Sequence, residues 1–126
     1  MLLAITVSVC SQSKARVLTA GQAESLVRAV ALSETKTRDI SIQRGPDTYA
    51  PGLPYFSEYG PLNPYGSSLI GHFLVDPRTG DVFDAIVCQE YQFASLAKLQ
   101  KSIRKQIGLS VAEYRGLKLS KPPLCD

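Results

Sequence analysis

The nineteen residues Leu69-Ile-Gly-His-Phe-Leu-Val-Asp-Pro-Arg-Thr-Gly-Asp-Val-Phe-Asp-Ala-Ile-Val87 decide how the chain reads. Leu69–Val75 is a strand, apolar on nearly both faces. Asp76-Pro-Arg-Thr-Gly80 then carries the chemistry of a tight reversal: Pro77 presets φ for a type I turn, and Gly80 takes the left-handed position that closes it. Asp81–Val87 returns as the second arm. A β-hairpin with a buried first arm needs something to cover it, and the flanking sequence supplies two helices.

Upstream, Thr19-Ala-Gly-Gln22 is a capping box, in which Thr19 caps and Gln22 reaches back. Ala23, Leu26, Val27, Val30 and Ala31 follow at i, i+3, i+4, i+7 and i+8, so an apolar helix face runs from about Ala20 to Leu32. Asp39–Arg44 alternates apolar and polar as a half-buried strand does, and Gly45-Pro46 ends it. Downstream, Leu96, Leu99, Ile103 and Ile107 mark a second amphipathic helix over Ala94–Ile107, with Gly108 as its stop. Ser110-Val-Ala-Glu113 opens a short third helix that Gly116 is expected to end. The order predicts an α+β domain: an antiparallel sheet with N-terminal and C-terminal helices packed on one face, over residues 16–126.

Gly45–Gly66 differs in kind. It holds five Pro, four Gly, four of the six Tyr, and Phe56. Proline at this density removes backbone donors and fixes φ, so a long loop without regular structure is expected. Its aromatics are rigid contact surface of the kind enriched at interface hot spots. Tyr49, Tyr55, Phe56, Tyr59 and Tyr65 are therefore the candidate binding residues. The alternative is that they fold down over the core as a lid.

The 126 residues are 44% hydrophobic and 20% charged, with a mean hydropathy of zero. That excludes a disordered tail or a coiled coil. The net charge of +3 does not announce a nucleic-acid binder. The first ten residues are almost wholly apolar, about half of what a membrane span needs. They read as the core of a secretory leader with Ser13-Lys14-Ala15 as its cleavage site. Val7-Ser8-Val9-Cys10 resembles a lipoprotein box, which would give a lipid anchor at Cys10. The other reading is a first buried strand. Removing residues 1–15 leaves Cys88 and Cys125, which an oxidising compartment lets pair. That bridge would close roughly forty residues and contribute about 3–4 kcal/mol. A periplasmic or secreted location follows; two unpaired thiols in a cytosolic protein are the alternative.

Chemistry-bearing residues are few. His72, the single histidine, stands mid-strand between Ile70 and Leu74, where a structural role is expected; as a base it would need an Asp within reach. Asp76, Asp81 and Asp84 cluster at the hairpin, but their spacing matches no calcium loop, and aspartate at turns ordinarily bonds its own backbone. No nucleophile elbow, phosphate loop or zinc spacing is present. No metal or cofactor is expected, and the chain reads as non-enzymatic. Lys98, Lys101, Arg104 and Lys105 are read as the solvated back of the second helix.

Leu74-Val-Asp-Pro-Arg-Thr-Gly-Asp-Val-Phe83 resembles the terminal hairpin of PepSY-like domains, small exported modules of a helix followed by an antiparallel sheet. The helix from Thr19 and the strand at Ile40 match their order, and similar hairpins occur in small exported bacterial inhibitor and immunity proteins. The resemblance implies a binding or inhibitory protein whose partner is another envelope or secreted protein. It supplies no catalytic residues. Two other classes compete with it: a small hydrolase using His72 with an Asp, and a structural accessory domain without a ligand.

Overall fold

A computed structural model describes residues 17–35, 38–45, 54–63 and 66–120, with backbone alone at residues 55, 61–63 and 66–68. Residues 1–15, read above as a leader, lie outside the described residues, as do Tyr49, Tyr65 and Cys125. The elements are α1 (Ala20–Glu34), β1 (Ser41–Arg44), β2 (Tyr55–Asn63), β3 (Gly66–Val75), β4 (Val82–Asp84), α2 (Ala94–Gln106) and α3 (Val111–Lys118). The four strands form one antiparallel sheet in the order β1-β2-β3-β4. The fold is α+β, as the sequence predicts.

Both arms of the α1 capping box are made: the Gln22 N–H donates to Thr19 Oγ1 at 3.1 Å and the Thr19 N–H to Gln22 Oε1 at 2.9 Å. Ala23, Leu26, Val27, Val30 and Ala31 are all buried. Leu26, Val27 and Val30 meet Phe56, Phe73, Val75 and Val82 of the sheet and Leu96 and Ile103 of α2 in one core cluster. Each such side chain contributes about 1.5–3 kcal/mol by leaving water. The short α3 buries nothing of its own. Its capping box, Ser110 with Glu113, starts it, and polar contacts hold it.

Four expectations need correcting. Residues 55–63 are a strand, not loop: β2 pairs with β3 along its length, and Pro61 is tolerated because it falls where the register shifts between Tyr59 and Leu62. Phe56 is core, 2% exposed. The hairpin's second arm ends at Asp84, not Val87, because Asp84 Oδ1 accepts the N–H groups of Ile86 and Val87 and folds residues 85–87 into a turn. Gly116 does not stop α3, which runs on to Lys118; Tyr114 and Lys118 fasten that last turn to Asp81 and Glu90.

The hairpin tip is sunk into the helices. Gly80 has φ +79°, which strains any other residue, and a Cβ there would also lie 3.3 Å from Leu26 Cδ1, close enough that Leu26 must shift. The Gly80 carbonyl accepts from Gln100 Nε2 at 2.9 Å, and the Thr79 carbonyl accepts from Arg104 Nε at 2.8 Å. The tip therefore registers α2 on the sheet.

Candidate partner-binding surface

β1 last pairs with β2 at Ser41↔Tyr59, and β4 first pairs with β3 at Phe73↔Asp84. Beyond those points β2 and β3 continue as a two-stranded arm, through Leu62↔Ser67 to Asn63↔Gly66. A two-stranded ribbon of that kind is marginal alone and gains order by packing on something.

At the root of this arm the surface turns apolar. Leu69 and Ile70 are 50% and 43% exposed, Ile86 and Val87 68% and 66%. The Ala85 N–H donates to the His72 carbonyl at 3.0 Å, so the 85–87 turn starts beside β3 and places Ile86 and Val87 at the same end of the sheet as Leu69 and Ile70. The two Asp84 bonds, at 2.8 and 3.1 Å, fix that turn. Apolar side chains clustered in the open mark interaction sites far more often than isolated ones do. Half-buried Tyr59 pairs with Leu69 at the edge of the cluster.

Of the five aromatics singled out from sequence, Tyr59 alone is seen at this surface. Phe56 is internal, the backbone of Tyr55 is in β2, and Tyr49 and Tyr65 are outside the described residues. The aliphatic quartet was missed, because Leu69–Val75 and Asp81–Val87 look like buried strand arms. The available signal was Asp84, an acid able to turn the chain just before Ile86 and Val87.

His72 faces away from the core, its Nδ1 3.4 Å from Ser57 Oγ. The hairpin aspartates are placed elsewhere. Asp84 pairs across from Phe73, so it lies on the opposite sheet face to His72, and it accepts from Tyr91 Oη at 3.4 Å. Asp76 is held bidentately by Arg78, at 3.1 and 2.9 Å. Asp81 takes the Thr79 and Tyr114 hydroxyls, each at 2.9 Å.

That Asp81 network floors a cleft of about 410 Å³ between β4, α2 and α3, lined also by Glu90, Gln92, Phe93, Arg104 and Lys118. The Arg104 guanidinium lies 3.7 Å over the Tyr114 ring. Burial, and then the Asp81 charge, push the Tyr114 phenol up. Burial works to lower the Lys118 ammonium, but hydrogen bonds to Glu90 and Tyr114 outweigh it and hold it above the usual lysine range. Each of these charges answers another within the chain, so the arrangement braces α3 against the sheet. Among the described residues no helix is long and apolar enough to cross a membrane.

No family model matches the chain, and no curated protein matches it. Among solved structures, a chain of a type VI secretion system effector–immunity complex from Pseudomonas protegens is similar, with a TM-score of 0.61 and 23% identity. The match covers 87% of this chain and 91% of that one. At that identity the likeness is one of fold.

Proposed function

We propose that this chain is a small immunity-type protein, which neutralises a toxin by binding it and has no catalysis of its own. The observation that carries the reading is the exposed aliphatic quartet Leu69, Ile70, Ile86 and Val87 at the root of a two-stranded arm, four of the eight large apolar side chains exposed among the described residues. The similar fold in an effector–immunity complex supports it, since both halves of such a complex bind a protein. The PepSY resemblance adds only the hairpin motif. Against the hydrolase reading, Asp84 lies on the opposite sheet face to His72 and is occupied by the 85–87 turn.

Co-expression with each type VI effector of its source cell tests the proposal. One effector should lose its toxicity and co-elute with the chain. Ile70→Asp with Ile86→Asp should weaken that complex by about 30-fold or more, the size of a hot-spot loss. Failure to protect against any effector, or full binding by the double variant, would overturn it.

We further propose export, with the leader removed near Ala15 and Cys88 paired with Cys125. That Cys88 is a disulfide cysteine supports an oxidising compartment. Intact mass of protein from the native cell should show the shortened chain, two hydrogens lighter than its reduced form. A full-length species with three free thiols would refute it.

A further inference from the structure

The α2 helix carries Lys98, Lys101, Arg104 and Lys105 and not one Asp or Glu. Arg104 is used: it bonds the Thr79 carbonyl, stacks on Tyr114 and stands 3.7 Å from Asp81. Lys101 and Lys105 are exposed, and among the described residues neither they nor Lys98 has an ion pair. Like charges at i and i+4 destabilise a helix, and an outside anion relieves them. Both lysines line a second cavity of about 270 Å³, together with Arg104, Tyr114, Leu109 and Val111. Val111 is 62% exposed there. The nearby acids are spoken for: Glu113 caps Ser110, and Asp81 holds Tyr114 and Arg104.

We propose that this groove between α2 and α3 docks an acidic segment of a protein partner, with carboxylates on Lys101 and Lys105 and a neighbouring aliphatic side chain on Leu109 and Val111. The cavity falls below the roughly 300–1,000 Å³ of a site for a drug-sized ligand, which fits side chains better than a cofactor. Nucleic acid fits less well, because the ring in the groove that could stack a base already carries the Arg104 guanidinium on one face. The proposal rests on the chain being a protein binder and adds a property of the partner: it presents an acidic, leucine-bearing stretch to a surface distinct from the aliphatic quartet.

A fluorescein-labelled peptide alternating Glu with Leu, its Lys-for-Glu counterpart and a short single-stranded DNA are each titrated against the full chain at low and raised salt. The acidic peptide should bind, weaken with salt and lose about tenfold in affinity in Lys101→Glu with Lys105→Glu, two exposed positions outside the folding network. Val111→Asp should weaken it too, whereas Ile70→Asp should leave it unchanged. Tighter binding of the DNA or the basic peptide, or equal affinity of the double lysine variant, would overturn the proposal. Peptide binding needs no toxin, so loss of effector binding with peptide binding intact would count against the immunity reading alone.

Discussion

Asp81→Ala should cost the domain about 3–5 kcal/mol, the penalty for removing one partner from a buried charge cluster. Asp81 is 4% exposed. Its carboxylate takes the Thr79 and Tyr114 hydroxyls at 2.9 Å, with Arg104 and Lys118 each 3.7 Å away. Without it, two cations face each other across the cleft and the Tyr114 phenol loses its acceptor. The damage reaches past the site, because α3 has no buried residue of its own and depends on Tyr114 and Lys118 to stay on the sheet. Urea unfolding followed by far-ultraviolet dichroism checks this, and the melting temperature should fall on the order of 10–20 °C. Tyr114→Phe, which keeps the ring beneath Arg104 and loses the hydroxyl's bonds to Asp81 and Lys118, should cost only about 1–2 kcal/mol. A loss below that for Asp81→Ala would mean that α3 is held by something other than this network.

That network was only half legible in the sequence. The turn was: Pro77 and Gly80 gave a reversal with a positive φ at Gly80, and φ +79° is what the hairpin adopts. The helices were legible because their apolar spacing and both capping boxes are local signals, complete within a few residues. What stayed hidden depends on contacts far apart in sequence. Asp81 and Tyr114 are 33 residues apart, and nothing local tells a turn aspartate that bonds water from one that anchors a distant helix. Gly116 looked like a helix stop for the same reason: propensity argues for ending there, and the bonds from Tyr114 and Lys118 override it. In Gly45–Gly66 the proline count argued for loop throughout, yet Tyr55–Asn63 pairs with β3 and the sheet absorbs Pro61 at an irregularity. The binding surface was the least legible part. An apolar residue reads as core until the neighbouring elements are placed, so Ile70, Ile86 and Val87 could not be told from Val75 and Val82.

Glu58 was invisible for the opposite reason, a polar residue that the pattern puts on a surface. It stands in β2 between Ile42 of β1 and Gly71 of β3, on the helix-covered face. It is fully buried, and neither carboxylate oxygen has a hydrogen-bond partner among the described residues. Gly71 opposite it makes room chiefly for Phe73: a Cβ there would lie 3.1 Å from the Phe73 ring and at ordinary contact distance, 3.6 Å, from Glu58 Oε2. Burial, reinforced by the Glu34 charge, pushes the Glu58 carboxyl above the usual carboxylate range. The folded chain therefore keeps a proton that the unfolded chain releases. Stability is greatest below the unfolded value of about 4.3 and falls as pH rises through the higher folded value, where the loss is complete. Glu58→Leu, close in volume and free of polar atoms, should gain about 1–3 kcal/mol at neutral pH and abolish that slope. Glu58→Gln should abolish the slope without the full gain, since its amide is as poorly satisfied. Urea midpoints of the three proteins from pH 4 to pH 8 decide it; a leucine variant less stable than the parent, or one with the parent's pH slope, would show that the carboxyl has a partner. The register of β2 against β3 shifts directly after Glu58, at the step to Tyr59 where the arm begins. A costly acid beside the first of the two places where the ladder breaks is expected when function opposes stability. The leucine variant should thus bind a partner more weakly while it melts later.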